Sequence, residues 1–226
     1  MFTKYITNTY EITNGYKKIL INAKDAKVKI EETSDVITKL VVNEKKSYPY
    51  VFSVIDNTLI VKPLKSKWYN FLTIGISHAE IKLYIPKQEL DMLSIKQNIG
   101  TINISSLTYS KEINIQTNTG SINLENINCD TFDSKGNTGS IILNNLISKK
   151  SMLIKRTTGK VILNNSFSPD IFIKTNTGSV SGKLSSNIVF TATTNTGKIK
   201  IPNPPIGEVI SGRCEVRTNT GSIKFE

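Results

Sequence analysis

The C-terminal half of the sequence contains a short motif that recurs at nearly constant spacing. The motif is Asn-Thr-Gly followed by Ser or Lys, or a close variant, and its successive glycines are 19 or 20 residues apart, with a final interval of 24. The motif glycines are Gly100, Gly120, Gly139, Gly159, Gly178, Gly197 and Gly221. Regular self-similarity of this kind is typical of repeat architectures, in which each unit packs against its neighbours. The residues Pro202 to Pro205 in the long final interval predict an inserted loop.

Each repeat unit has the same internal pattern of apolar residues. They stand two and four positions after the glycine, as in Ile122 and Leu124, and three and five positions before the Asn, as in Ile113 and Ile115. Gly182 is the one weak position after a glycine. Alternation with a period of two and β-branched residues predicts strands that have one buried face.

The Asn-Thr-Gly segment between two such strands predicts a structural turn. Asn tolerates the left-handed backbone conformation and Gly favours it, so we expect both residues to shape the turn. The predicted turn residues are Asn118, Gly120, Asn137, Gly139, Gly159, Asn176, Gly178, Asn195, Gly197, Asn219 and Gly221.

Two all-β architectures place two short strands in each unit: a meander of hairpins and a parallel β-solenoid. In a solenoid every residue stacks on its equivalent about 4.8 Å away, so ladders of identical Asn and Thr side chains are favoured. A meander reverses direction at each turn and gains nothing from identity at a fixed spacing. The repeat therefore predicts a β-helix-like solenoid of about seven rungs over residues 93–226. The usual crossover rule predicts a right-handed coil.

Residues 1–92 lack the motif but contain alternating segments and turn signals such as Asn14-Gly15 and Asp56-Asn57. We expect an irregular β region that covers the first rung, because a bare solenoid end exposes a sheet edge. The chain ends within the last repeat, at Ile223 to Glu226, with no such cover. This predicts an uncovered C-terminal end of the solenoid, through which two copies of the chain could associate.

The motifs resemble those of a known bacterial family. The strand ending in Tyr84 to Lys87, followed by serial Thr-Asn-Thr-Gly-Ser-Ile-x-Leu units, is similar to the β-strand-repeat domains of unknown function named putative adhesins. The resemblance covers roughly residues 15–226. It implies an all-β solenoid-like fold, no established activity, and a location at the cell surface. The chain itself shows no signal peptide and no apolar membrane span, which predicts a cytoplasmic location.

The composition and the scarcity of reactive residues argue against several functional classes. The chain has 29 Lys and Arg against 18 Asp and Glu, a net charge of +11, but only three of the basic residues are Arg and no basic run exceeds two residues. Scattered Lys favours a solvated surface over specific nucleic-acid binding. The lone His78 and the two cysteines, Cys129 and Cys214, predict no catalytic residue, no metal site and no cofactor, and we expect two free buried thiols.

One segment suggests contact with a ligand. Lys and aromatic residues alternate in a predicted loop, where they suit a carbohydrate or a membrane interface, or else pack over the solenoid end. These residues are Lys65, Lys67, Trp68, Tyr69 and Phe71. The sequence favours a non-enzymatic, adhesin-like interaction protein with an unknown protein or glycan ligand. The alternatives are an intracellular scaffold or regulatory binding protein and, less favoured, a carbohydrate-active β-helix enzyme.

Overall fold

The computed structural model describes residues 5–64, 79–184, 187–203 and 207–226, which form β-strands and no helix. The strands are β1 (Tyr5–Ile12), β2 (Lys18–Thr33), β3 (Thr38–Lys45), β4 (Tyr50–Ile55), β5 (Thr58–Pro63), β6 (Ala79–Pro86), β7 (Glu89–Ile99), β8 (Ile102–Thr119), β9 (Ile122–Thr138), β10 (Ile141–Thr158), β11 (Val161–Ser166), β12 (Asp170–Thr177), β13 (Val180–Leu184), β14 (Ile188–Thr196), β15 (Ile199–Lys200), β16 (Gly212–Thr220) and β17 (Ile223–Phe225).

The repeats stack as the rungs of a parallel β-solenoid, which confirms the predicted fold class. Segments that precede the motif glycines pair in parallel on one side of the molecule, which we call side A, and segments that follow them pair on side B. On side A, Ile113 pairs with Phe132, which in turn pairs with Met152. Equivalent residues thus lie directly above one another, as the identity of the repeats requires.

The apolar positions of each rung form continuous buried columns. On side B, Ile102, Ile122 and Ile141 are adjacent in register and fully buried. A third, shorter side closes each rung, where Leu107, Ile127 and Leu146 are also in register and buried. The core is therefore a set of stacked layers between the sheets, and each layer rests on the next through side chains of similar shape.

The repeat motif makes its turn with glycine alone. Gly139 has φ of 128°, and a Cβ built on it would lie 2.1 Å from the carbonyl oxygen of Gly120. The Asn of the motif does not use the left-handed conformation that it tolerates: Asn118 and Asn137 lie in strands, and the left-handed asparagines include Asn126, in the opposite corner of the rung. The reason is that the motif Asn belongs to the strand, where its amide can bond to the next rung.

The C-terminal strands lie inside the stack, which corrects the expectation of a bare C-terminal end. Strand β16 pairs with β12 on one side and with β14 on the other, and β17 lies likewise between β13 and β15. The uncovered edge belongs instead to β14 and β15, where Ile199 is 44% exposed. In the sequence, the long interval between Gly197 and Gly221 separates the outer rung, β14 and β15, from β16 and β17, which pair beneath it.

The N-terminal region continues the stack and then covers it. Strand β2 pairs in parallel with β7 and β8 on one side and with β5 and β6 on the other. Antiparallel strands follow, β4 beside β5 on side A and β3 with β1 beside β6 on side B. Strand β2 is thus a rung without the motif, and antiparallel pairing marks the transition from the repeat to its cover.

Gly182, the weak position of the repeat, lies in register with Phe225. The aromatic ring is 1% exposed and lies 4.9 Å from the ring of Phe190, measured between centroids. A Cβ at Gly182 would lie 1.9 Å from the carbonyl oxygen of Leu163, so the backbone of the neighbouring rung requires a glycine here, in a layer that elsewhere holds Leu and Ile.

Replacing Gly139 by Ala is expected to lower the free energy of unfolding by at least about 2 kcal/mol, because the backbone conformation disfavours a Cβ and the Gly120 carbonyl blocks it. The matched control is Gly15→Ala, whose added Cβ meets nothing within 4 Å. Urea unfolding of both variants measures the difference. Equal stability of the two variants would contradict the assignment of the motif glycine as a steric requirement.

Replacing Phe225 by Ala is expected to cost about 3–5 kcal/mol, the range for a large ring removed from a closed core. Ile199→Ala, on the uncovered outer rung, is the control and is expected to cost about 1 kcal/mol or less. Chemical denaturation distinguishes the rung that contains Phe225 from the outer rung that contains Ile199. If the rung of Phe225 were instead at the frayed end of the solenoid, Phe225→Ala would lower the free energy of unfolding less than Ile199→Ala.

Candidate functional site

A groove runs across side A next to the motif turns and encloses about 580 Å³. It crosses five adjacent strands in the order β9, β10, β12, β16 and β14. The groove therefore runs along the solenoid axis and perpendicular to the strands, because β9, β10, β12 and β16 contribute the same three positions of the repeat and β14 contributes the outer two, Thr193 and Asn195.

The alternation of side chains along each strand builds the groove. Residues two positions apart project outward and form its two walls, while the residue between them points inward and forms its floor. One wall is basic and consists of Lys135, Lys155, Lys174 and Arg217. The other wall is polar and consists of Asn137, Thr157, Asn176, Asn219 and Asn195. The floor consists of Gly136, Arg156, Thr175 and Thr218.

The basic wall is neutralised at its ends and not at its centre. Lys135 forms an ion pair of 2.9 Å with Asp133, and Arg217 forms one with Glu215. Among the described residues, no carboxylate pairs with Lys155 or Lys174. The central ammonium groups are therefore available to an anion that enters the groove.

Arg156 places a buried cation in the floor of the groove. It is 4% exposed, and its Nη2 donates a hydrogen bond of 3.5 Å to the Ser134 hydroxyl. Within the described ranges, its Nε and Nη1 have no hydrogen-bond partner. Desolvation by burial lowers the pKa of Arg156 to about 10, which leaves the guanidinium protonated at neutral pH. The side chain fits because Gly136 has none: a Cβ there would lie 1.8 Å from Nη1.

The polar wall is held by hydrogen bonds between rungs. Asn137 donates from Nδ2 to Asn118 Oδ1 at 2.6 Å, and Asn195 donates in the same way to Asn219 at 2.6 Å. Thr157 interrupts the series and donates from its hydroxyl to Asn137 Oδ1 at 3.5 Å. An amide that makes one such bond on each side keeps a second N–H and a second lone pair. The wall is thus both ordered and able to bind a polar ligand.

The structure brings together only part of what the sequence predicted. The motif asparagines form the polar wall, next to the glycine turns. The first threonines of three of the Thr-Asn-Thr segments, Thr117, Thr175 and Thr218, are buried. The predicted surface contacts Lys65, Lys67, Trp68, Tyr69 and Phe71 lie outside the described residues, as does His78.

The basic wall was missed in the sequence although its signal is there. The residue two positions before the turn Asn or Thr is Lys or Arg in four of the units that line the groove. Reading the charges along the chain hides this column, because neighbouring members are 19 or more residues apart. Aligning the repeats before examining the charges would have revealed it.

Several carboxylates on the repeat are paired with cations. Asp133 pairs with Lys135, whereas Asp130 accepts a hydrogen bond from the Tyr109 hydroxyl and pairs with Lys150 at 2.9 Å. The first contact raises the pKa of Tyr109 to about 12, and together with Lys150 it holds the pKa of Asp130 below its usual value. Among the described residues, no group of three or more His, Cys, Asp or Glu could hold a metal ion.

The fold and the groove define the class of protein as a parallel β-solenoid with a charged groove on one side. The chain belongs to the Toastrack DUF4097 family, which matches residues 16–225. This confirms the resemblance to the adhesin-type strand-repeat domains. Within the described residues, no helix has the length and apolar character needed to cross a membrane.

Two solved structures are similar to this one over nearly the whole chain. A protein from Bacteroides fragilis, described as a putative adhesin, is 17% identical with a TM-score of 0.54, and the match covers 99% of this chain and 97% of the other. A protein from Parabacteroides distasonis, also described as a putative adhesin, is 13% identical with a TM-score of 0.54, covering 99% and 98%. Both share the fold. No functionally curated protein matches the sequence.

The two cysteines are free and buried, as predicted. Burial raises the pKa of both Cys129 and Cys214 to about 12. We expect neither thiol to react with a disulfide reagent in the native protein at pH 8, because the reactive thiolate is not formed and the sulfur is not accessible. Both thiols should react in urea at the unfolding transition. Rapid labelling of the folded protein would contradict this.

Proposed function

We propose that this protein is a non-enzymatic, adhesin-like interaction protein that binds its ligand along the groove on side A. The observation that carries the proposal is the groove itself, which crosses five rungs and holds Lys155 and Lys174 without a carboxylate partner among the described residues. Unpaired cations beside ordered amides are the donors from which specific recognition of a polar ligand is built.

The construction of the groove supports a binding role. Most of the walls belong to β9, β10, β12 and β16, and each of these strands is hydrogen-bonded to a neighbouring strand on both sides. Little backbone freedom is therefore lost when a ligand binds. A preformed surface improves affinity mainly by reducing this entropic cost. Repetition also presents the same donors at regular intervals, which suits a ligand that is itself extended or repetitive.

The chemistry near the groove supports a function without catalysis. Its nearest carboxylates, Asp133 and Glu215, are each bound to a cation of the basic wall, so neither is prepared to act as a general base. The two thiols are buried and protonated. The descriptions of the structural relatives as putative adhesins agree with this proposal and favour contact at a cell surface.

Fluorescently labelled protein is expected to bind bacterial envelopes or a mucin-coated surface with saturation, and unlabelled protein should compete for the same sites. The double variant Lys155→Ser with Lys174→Ser should lose at least roughly tenfold in affinity, because each lost ion pair to a bound anion contributes about 1 kcal/mol.

The matched control is Lys160→Ser with Lys183→Ser, which removes the same charge from exposed positions outside the groove. This control should bind like the unchanged protein, and both variants should unfold at the same urea concentration. Absence of saturable binding to every surface tested, or equal loss in both double variants, would refute binding through the groove.

A further inference from the structure

We infer that the ligand of the groove is an acidic polysaccharide, whose chain lies along the solenoid axis and whose anionic groups are held over Arg156. The inference rests on the function proposed above and adds the chemical class of the ligand. It starts from one place where the sequence departs from its own repeat.

Two departures from the repeat occur in adjacent rungs and fit each other. At the inward position before the motif Asn, other rungs carry Thr117, Thr175 and Thr218, but these two rungs carry Gly136 and Arg156. The guanidinium of Arg156 fills the space that Gly136 leaves empty. The departure is therefore built into two rungs together and lies at the centre of the groove floor.

This pair is unfavourable for the fold. At two rungs the repeat residue is paired at the same position: the Thr175 hydroxyl donates a hydrogen bond of 2.8 Å to the Thr218 hydroxyl. Arg156 instead holds a buried charge with two unpaired nitrogen atoms among the described residues and no carboxylate partner. An uncompensated buried charge destabilises a protein, and such violations of local rules concentrate at functional sites.

The positive charge of Arg156 attracts anions in the groove above it. Interactions across a protein interior are less screened than those in water, so a cation beneath the floor attracts an anion above it without direct contact. Lys155 precedes Arg156 on the same strand, and Lys174 stands in register with Lys155 on the next. The three cations surround one short stretch of the groove, which is the anion subsite.

The spacing of the basic wall fits a linear polymer with regularly repeated charges. Lys135, Lys155, Lys174 and Arg217 occupy one register position on four adjacent strands, so their backbone positions recur about every 4.8 Å. The opposite wall offers amides and the Thr157 hydroxyl, which match the hydroxyl groups of a sugar chain. Carboxylates or sulfates along a polysaccharide can thus face one wall while hydroxyls face the other.

The same residues argue against other polymers. Among the residues that the structure describes, no aromatic side chain lines the groove, whereas single-stranded nucleic acids are held largely by stacking of bases on aromatic rings. Phe172 lies beside the groove, and its ring is already in contact with two cations of the basic wall. Lys155 Nζ lies 5.9 Å and Arg217 Cζ lies 5.8 Å from the ring centroid. Among the described residues, no Val, Leu, Ile or Met lines the groove either, so it offers no large apolar side chain that could insert into a membrane. A peptide cannot add to these strands, because β9, β10, β12 and β16 are already paired on both sides.

The test compares binding of the full chain to four soluble polymers: polygalacturonate, dextran sulfate, uncharged dextran and a single-stranded DNA oligonucleotide. We expect saturable binding to polygalacturonate or dextran sulfate, weakening as salt is raised, and no binding to dextran. Tighter binding of the oligonucleotide than of both acidic polysaccharides, or equal binding of dextran, would overturn the inference. So would failure to bind either acidic polysaccharide.

The decisive variants change Arg156. Arg156→Gln removes the charge, and its side chain occurs naturally in the same column at Gln97, so the fold is expected to tolerate it. We expect roughly a fivefold loss of affinity for the acidic polymer, of the order of one partly screened charge interaction. Arg156→Lys keeps the charge and should retain most of the affinity. Arg156→Thr, which restores the repeat residue, provides a second neutral variant should the first fold poorly.

The stability of these variants distinguishes a ligand subsite from a structural role. A subsite predicts that the neutral variants bind less tightly yet melt at the same temperature as the unchanged protein or higher. If Arg156 mainly supported the fold, the neutral variants would melt lower, and binding by the folded fraction would be unchanged. That result would overturn the inference.

Failure here remains separate from failure of the proposed function. Binding to envelopes or mucin that depends on Lys155 and Lys174, together with no binding to acidic polysaccharides, would leave an interaction protein with a different ligand. No saturable binding in either assay would reject both proposals.

Discussion

The structure depends on the close approach of successive rungs at the motif glycines. The backbone N–H of Gly120 donates to the carbonyl of Thr138 at 2.8 Å, and that of Gly139 donates to Thr158 at 2.9 Å, so each turn is bonded to the turn below it. A Cβ at either glycine would occupy the carbonyl of its neighbour. Once the turns are fixed at this distance, parallel pairing on both sides follows, and each residue must lie on its equivalent. The apolar columns, the Asn ladder and the basic wall are all consequences of this register.

The sequence predicted this register because equivalent positions of successive repeats carry identical residues. Asn-Thr-Gly at a constant interval has one simple physical explanation, in-register stacking, and the alternating apolar residues then assign the faces. The order of the outer rungs could not be predicted in the same way. The rungs of Gly197 and Gly221 carry the same motif, so local pattern cannot tell which of them pairs with Gly178. That choice depends on packing in three dimensions, such as the contact of Phe225 with Phe190 opposite the gap at Gly182.

Strand β2 was harder to recognise as a rung for a related reason. Its turn toward side B runs through Ala23 and Ala26 without the motif, yet the carbonyl of Ala26 meets Gly100 as closely as one motif glycine meets another. A small residue is sufficient at the first rung, because the steric demand falls on the glycine above it. The repeat therefore predicts where the glycine-rich stack runs and underestimates how far the parallel pairing extends.

The candidate site illustrates the opposite relation between repeat and function. Regular stacking predicts structure wherever the sequence keeps its pattern, so chemistry specific to this chain must be sought where the pattern breaks. Some breaks have structural causes: a Cβ at Gly182 would collide with the backbone carbonyl of Leu163. At Gly136 a Cβ would also lie 2.4 Å from the Thr117 carbonyl oxygen, but no such contact explains Arg156, which buries a cation without a carboxylate partner among the described residues. A solenoid can tolerate this cost at one rung because its neighbours retain their full pairing on both sides. The loss of stability caused by burying Arg156 is confined to its own rung. The positive potential of Arg156, in contrast, adds to that of Lys155 and Lys174 along the groove. This difference is the physical argument that the pair of Gly136 and Arg156 serves ligand binding.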